Sequence, residues 1–315
     1  LSRPVLSVVV PNYNHAACLP RCLDSVLGQS RPPDEVVVVD DASTDHSLEV
    51  LEDYARRHPQ LRVYHNPENL GAVANTLEAL ARARGDHVFF LAADDYVLPG
   101  FFEPAMELLE RYPRAGGLFC DLTQVDRRGR IIRCFTLGRQ AGYLSPAELA
   151  RAMAGSSFTV LGANGIFPRE LLLEPGVVVA ELECLVDWLF ASILAFRHGI
   201  CYLPGSYRHF EVRRDSFHFQ AHAAIEHGRL VRLALDHLER PEFQDVRPLL
   251  RRSGNMDQLG VVGFDLLLSD PRCRRHLSLA LVRRQLVPWL KFRLATALPW
   301  LRALYFRLFP SRYDL

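Results

Sequence analysis

Several things are scarce or missing in this chain of 315 residues, and each absence excludes a class. No stretch reaches the ~18 uncharged apolar residues of a membrane-spanning helix, which removes a polytopic membrane protein. The first apolar run, Val5 to Val10, is too brief for the core of a secretory leader, and the expected location is cytoplasmic. The seven cysteines are scattered, with no C-x-x-C pair and no Cys/His cluster at zinc spacing, so they read as reduced, mostly buried thiols. No G-x-G-x-x-G turn follows the first β-rich run, which removes a dinucleotide-dependent dehydrogenase. Net charge is also scarce: 37 basic against 36 acidic residues leave +1, which argues against a dedicated nucleic-acid binder. Lysine is nearly absent, since Lys291 is the only one and the other basic residues are arginine.

The small net charge hides a segregation. The first 270 residues hold 27 basic and 35 acidic groups, or −8, and residues 271–315 hold ten basic groups and one acid, or +9. Along the acidic part, β-rich runs alternate with helical patterns. Leu6–Val10, Glu35–Val39, Leu61–Tyr64 and His87–Leu91 read as strands, separated by helices over Cys18–Leu27, Ser47–Arg57 and about Ala72–Arg84. Uncharged runs bounded by helices suit strands buried on both faces of a mainly parallel, doubly wound sheet. Ligands of such sheets bind where loops leave the carboxyl ends of strands, here Pro11–His15, Asp40–Asp45 and Ala92–Tyr96. Further on, Gly117–Leu122 and Arg130–Phe135 read as a hairpin, Leu185–His198 as a helix, and Ile200–Leu203 and Ser206–Phe210 as two short strands. From Ser216 the pattern is helical only, over about 219–239 and 244–267 and an arginine-rich end. This gives an expected α/β domain over 1–215 and a helical region over 216–315.

Two loops carry paired acids. Asp40-Asp41 ends the second strand and Asp94-Asp95 follows the fourth. Adjacent carboxylates repel and strands disfavour Asp, so such pairs need a reason. One reason is helix capping by Ser43 or Asp45. Another is a hard divalent cation, since Mg2+ and Mn2+ take one or two carboxylates plus substrate phosphates.

The ordered set Val8-Val9-Val10-Pro11-Asn12-Tyr13-Asn14, Val39-Asp40-Asp41-Ala42-Ser43-Thr44-Asp45, Asn69-Leu70-Gly71 and Ala93-Asp94-Asp95 resembles the family 2 glycosyltransferases of GT-A fold. The likeness runs over about residues 5–215. It implies a nucleotide-diphosphate-sugar donor, most often UDP-linked, and a Mn2+ or Mg2+ ion. By that resemblance Pro11 and Tyr13 line the base and ribose pocket, Asp41 hydrogen-bonds the base, Asp94 contacts the ribose or metal, and Asp95 ligates the metal. The family often has Arg before the Asn of the third helix; here Ala74 precedes Asn75, and no donor contact is assigned to that position. An acid at the start of the helix Leu185–His198 is the family's base, a place Asp187-Trp188 fits, with Glu183 in reserve. The segment from Tyr207 to Ser216 resembles the family's closing loop. There His209 reads either as a third metal ligand or as a structural strand residue, and Arg213 or Arg214 as diphosphate partners or solvated loop residues. Asn164, Arg169 and Trp188 are acceptor contacts by position alone.

In the basic end, Pro288-Trp289-Leu290-Lys291 recurs as Pro299-Trp300-Leu301-Arg302. Trp, Phe and Leu among arginines are what an interfacial helix needs, with rings at headgroup level and cations near anionic lipid. The expectation is peripheral contact of 280–315 with the inner face of the cytoplasmic membrane and a glycan or lipid-linked acceptor. Intramolecular helical packing or a dimer contact is the alternative. The rival functions are a sugar nucleotidyltransferase, which lacks its glycine-rich basic loop here, and a non-catalytic sugar-nucleotide-binding or scaffold protein.

Overall fold

A computed structural model describes residues 3–126, 128, 130–211 and 224–297. The first half runs β1 (Leu6–Asn12), α1 (Leu19–Leu27), β2 (Glu35–Asp40), α2 (Ser47–Arg57), β3 (Leu61–His65), α3 (Ala72–Arg82), β4 (His87–Phe90) and α4 (Phe102–Arg111). Val8–Val10 and Val36–Val39 are fully buried, as uncharged β-branched runs between two helical layers must be. The strands β3-β2-β1-β4 pair in parallel, with Val8 opposite Val36 and Phe89. The chain walks outward from β1 to β3 and then returns to β4 on the other side of β1. The resulting switch point opens a crevice beyond the carboxyl ends of β1 and β4.

Beyond residue 115 the sheet becomes mixed. β5 (Leu118–Val125) and β6 (Ile131–Phe135) form the expected antiparallel pair. They are followed by β7 (Gly142–Leu144), α5 (Pro146–Ala154), β8 (Gly165–Pro168), α6 (Arg169–Leu172), α7 (Val186–His198) and β9 (Ile200–Glu211). The short strand β8 wedges antiparallel between β4 and β5. The two short strands expected at 200–203 and 206–210 are one: β9 runs parallel to β5, and its register skips at Pro204-Gly205, between the Cys120–Leu203 and Asp121–Ser206 pairs. Proline offers no amide hydrogen to a ladder and Gly205 sits at φ +113°, so the irregularity falls where the backbone demands it.

The remaining helices are α8 (Ala224–Leu238), α9 (Val246–Ser253), α10 (Gly260–Ser269) and α11 (Leu279–Ala297). The single helix expected over 244–267 is broken at Gly254, which is left-handed at φ +77° and ends α9. A Cβ there would come within 3.1 Å of Ala280 Cβ, so the helix stops where the chain passes under α11. α7 is apolar on every side, buried from Trp188 through Phe196, and packs between the sheet and the C-terminal helices. One hydrophobic cluster extends from Val9 and Val88 in the sheet to Leu267 and Leu281.

α11 continues through Pro288. Trp289 turns inward, edge-on to Phe264 with ring centroids 6.1 Å apart, and its Nε1 donates to Asp265 at 2.8 Å. The expectation of Trp289 at lipid headgroup level is therefore corrected: its ring is committed to α10. The outer side of α11 shows Leu279, Leu286, Val287 and Leu290 instead. Trp300 lies outside the described residues. No described helix is long and apolar enough to cross a membrane.

Candidate active site

Three loops meet at the crevice, and hydrogen bonds join the first two. In the loop after β1, the Asn14 side-chain oxygen accepts from Thr44 N at 2.8 Å and Asp45 N at 3.3 Å, and Ala16 N donates to Asp45 at 2.9 Å. Asp45 also accepts from Ser47 N at the start of α2, at 2.9 Å, the capping role expected of this loop. Asp40 is fully buried. It accepts from Asn12 Nδ2 at 2.7 Å, Ser43 Oγ at 2.6 Å and Ser43 N at 3.0 Å. Its carboxylate is the hub that shapes the turn.

Asp41 is 1 % exposed and ties the turn to the segment before α3. Oδ1 accepts from Asn66 Nδ2 at 2.8 Å and Leu70 N at 2.9 Å, and Oδ2 accepts from Gly71 N at 2.9 Å. Each carboxylate oxygen has two lone pairs, so Oδ2 keeps one. Asn75 completes the floor, donating to Val39 O at 3.0 Å while Asn66 donates to its Oδ1 at 3.2 Å. Beside this floor Pro11 is half-buried and Tyr13 is 43 % exposed at the rim.

Asp94 and Asp95 lie in the loop after β4, partly exposed, between two arginines. Arg21 from α1 donates to Asp94 O at 3.0 Å and stacks on Tyr96, 4.5 Å from the ring centre. Arg208 from β9 forms an ion pair with Asp95 Oδ2 and donates to Phe90 O at 3.2 Å and Ala163 O at 2.9 Å. Neither arginine is singled out by the sequence pattern. The signal for Arg208 is slight: the one arginine of β9, in the segment where His209, Arg213 and Arg214 draw attention first. Burial raises the nearby Cys22 thiol far above its ordinary range, and Asp95 adds to the shift, so this thiol stays neutral.

Asp187 stands in the first turn of α7, where a carboxylate meets the positive helix end. The loop Gly162–Asn164 presses on it: a Cβ on Gly162 would lie 2.8 Å from Asp187 Cβ. That same loop gives Ala163 O to Arg208, so the turn of Asp187 and the turn of Asp95 brace one another through a shared element. Glu183, the reserve base, pairs with Arg229 of α8 at 3.3 Å. Among the described residues three non-glycine positions have positive φ, namely Asn14, Ala42 and Glu183, and all three flank these loops. Strain of ~1–3 kcal/mol per residue persists only where surroundings enforce it, and it clusters at functional sites.

The positional acceptor contacts fare differently. Asn164 is buried and braces its own loop, donating to Cys120 O at 2.9 Å and Thr159 O at 3.1 Å. Trp188 is buried and donates to Asn255 O at 3.0 Å. Arg169 follows β8, whose Pro168 pairs with His87 at the start of β4, the opposite end of the strand from Asp94. Because β8 runs antiparallel it carries Arg169 away from the crevice, whereas Asn164 and Trp188 spend their side-chain donors on backbone carbonyls. The side chain of His209 lies outside the described residues, as do Arg213 and Arg214.

Among the described residues no group of three acidic, His or Cys side chains forms a metal cluster. Asp95 Oδ1 has no protein donor among them, and Asp94 adjoins it in the same loop. That donor set suits a hard cation whose shell is completed by phosphate oxygens and water rather than a closed protein cage.

The family model described as Glycosyl transferase family 2 matches residues 7–143. An uncharacterized Mycobacterium tuberculosis protein, MT1568, is 30 % identical over 212 residues, covering 64 % of this chain and 66 % of its own length. The putative teichuronic acid biosynthesis glycosyltransferase TuaG of Bacillus subtilis is 39 % identical over 93 residues, 30 % of this chain and 37 % of its own length. The chain thus spans less than two thirds of the length of these relatives. The crystal structure of Staphylococcus aureus TarS 1-349 in complex with UDP-GlcNAc superimposes with a TM-score of 0.65 at 22 % identity, over 86 % of this chain and 78 % of that one. The motifs, the crevice at the β1/β4 switch point and these likenesses agree: the chain carries a glycosyl transferase family 2 domain on a GT-A fold.

Proposed function

We propose that the protein transfers a sugar, with inversion, from a nucleotide-diphosphate donor, most readily a UDP-sugar, to a hydroxyl of a glycan or lipid-linked acceptor in envelope polysaccharide synthesis. The single observation that carries the reading is the braced pair of turns at the crevice. Asp94-Asp95 projects from the carboxyl end of β4, and Asp187 opens α7, joined through the Ala163–Arg208 contact. The relative TuaG, named for teichuronic acid biosynthesis, supports the substrate class.

In this reading Pro11 and Tyr13 form the side of the base and ribose pocket, and the remaining lone pair of Asp41 Oδ2 accepts from the base. Asp94 and Asp95 face the ribose and diphosphate and would hold Mn2+ or Mg2+, with His209 as a further proposed ligand. When bound, such an ion supplies Lewis-acid neutralisation of the leaving diphosphate. Asp187 takes the proton of the acceptor hydroxyl as that oxygen bonds to the anomeric carbon. The bond from that carbon to the diphosphate breaks, and its electron pair leaves with the diphosphate. A positioned base contributes ~10²–10⁴-fold. Residues 1–215 form the catalytic region of this proposal and 216–315 its helical support. Peripheral contact through 280–315 would place it at the cytoplasmic face of the membrane.

Release of nucleoside diphosphate from a panel of nucleotide-sugars, with Mn2+ and mixed glycan acceptors, tests the reading. One donor turned over by the wild type and left intact by Asp187→Asn is the expected result. Equal turnover by both proteins removes the base assignment, and no turnover or binding of any nucleotide-sugar favours a scaffold.

A further inference from the structure

We propose that Arg208 is the resident cation of the donor-free site, holding Asp95 so that a divalent metal enters only together with the diphosphate. The inference rests on the donor reading above and adds an order of binding to it.

The geometry points this way. Arg208 is buried, with 8 % of its side chain exposed against 17 % for Asp95. Its guanidinium is held in three directions, by Asp95 Oδ2 and by the carbonyls of Phe90 at 3.2 Å and Ala163 at 2.9 Å. The backbone fixes its origin as well, since Arg208 bridges Val97 and Leu98 N donates to Tyr207 O at 2.7 Å. With two carbonyl anchors the fork cannot travel far, whereas a carboxylate turns about one side-chain bond. Asp95 is the member of the pair that can change partner.

Charge decides when it does. A guanidinium never deprotonates, so of the two carboxylates that Asp94 and Asp95 offer a dication, Asp95 is already balanced by the fixed positive charge of Arg208. At close range in a partly buried site the repulsion between that charge and a dication is poorly screened. A nucleoside diphosphate reverses the balance. Its oxygens supply ligands to the metal and a replacement partner for Arg208 Nη2, and guanidinium forks suit phosphate oxygens. Asp95 then passes from arginine to metal without either charge being left unpaired. Nε of Arg208 is buried with no acceptor among the described residues, so the donor-free arrangement is not a saturated structural pair. The same residue also carries the diphosphate's arrival to the acceptor side, because Ala163 lies in the loop that presses on Asp187.

The test is Mn2+ binding, read from loss of the free-ion electron paramagnetic resonance signal, without and with saturating UDP. Mn2+–UDP complexation is measured separately in buffer. In the wild type, UDP is expected to tighten Mn2+ binding by roughly 10–100-fold. Arg208→Gln, checked for folding by thermal unfolding, should bind Mn2+ alone about tenfold more tightly and lose most of the UDP effect. Arg208→Lys keeps the charge and should keep the weak binding of Mn2+ alone; it carries the comparison if the Gln variant does not fold. Equal Mn2+ affinity in wild type and Arg208→Gln overturns the proposal, as does a Lys variant that tightens as the Gln variant does. Absence of any nucleotide effect on Mn2+ in every variant overturns the donor reading instead.

Discussion

The same dipeptide stands at or beyond the carboxyl ends of two strands that flank β1, and the two pairs do different work. Asp40 and Asp41 are buried and surrounded by donors of the protein itself: Asn12, Ser43, Asn66 and the amides of Leu70 and Gly71. Asp94 and Asp95 are partly open, and the charge met by Asp95 is a single anchored arginine. A buried pair held mainly by amide and hydroxyl donors, with His65 Nδ1 3.3 Å from Asp40 Oδ2, fixes loops. A carboxylate such as Asp95, partly open and balanced by an anchored ionic partner, is arranged to exchange it. Identical residues at equivalent strand ends therefore divide into floor and ligand-facing groups according to the amides that the next loop brings to them.

The comparison can be broken from either side. Removing the proposed base is expected to be the largest effect on turnover: Asp187→Asn should lower kcat by about 10³-fold while nucleotide binding and unfolding temperature hold. On the floor, Asp41→Ala leaves the Leu70 amide without its acceptor and takes one of two acceptors from Gly71 N and Asn66 Nδ2, and it should cost about 2–3 kcal/mol of stability in denaturant titration. Asp95→Ala should cost about 1 kcal/mol or less, because Arg208 retains its two carbonyl partners.

At its other end, strand β4 begins with a titratable group of opposite character. Burial pushes His87 down from 6.5 to about 4, with the nearby Asp86 opposing and Arg31 adding to the shift. Its neutral form is the folded one, so its contribution is present above pH 6.5 and is lost as pH falls toward 4. The unfolded chain takes up the proton in that window and the folded protein does not. The loss should approach roughly 3 kcal/mol, and His87→Phe should flatten the slope of stability against pH over that range.

The smallest effect concerns the basic end. Replacing Leu286, Val287 and Leu290 by Ser on the exposed side of α11 should lower sedimentation with anionic vesicles several-fold and leave turnover of a soluble acceptor unchanged. Unaltered sedimentation would assign that face to something other than lipid.

Much of the donor half is legible in the sequence because its signals are local. Val36–Val39 can only be a strand buried on both faces, and the turn after it carries its own caps and acids. What escapes reading depends on partners far along the chain. β8 has four residues with Gly at one end and Pro at the other, and it becomes a strand by filling the gap between β4 and β5. Arg208 shows its role only when β9 is laid beside Val97, 111 positions earlier. Asn255 looks like a polar residue in a helical stretch. It is fully buried, accepting from Thr159 at 3.0 Å and donating to Ser192 at 3.0 Å, and it helps seat α7 and the loop against Asp187. Trp289 reads as an interfacial ring until Asp265 supplies its acceptor.

The central claim, that the β2 pair builds the floor and the β4 pair carries the ligand charge, meets its most direct test in one thermal-unfolding experiment. Wild type, Asp40→Asn and Asp95→Asn are unfolded with and without UDP and Mn2+. The account predicts that Asp40→Asn unfolds several degrees earlier yet is still raised by UDP and Mn2+. It predicts that Asp95→Asn unfolds within about 2 °C of wild type and gains nothing from the ligands. The reverse pattern, a ligand-responsive Asp95→Asn beside an Asp40→Asn that is stable but unresponsive, would contradict it.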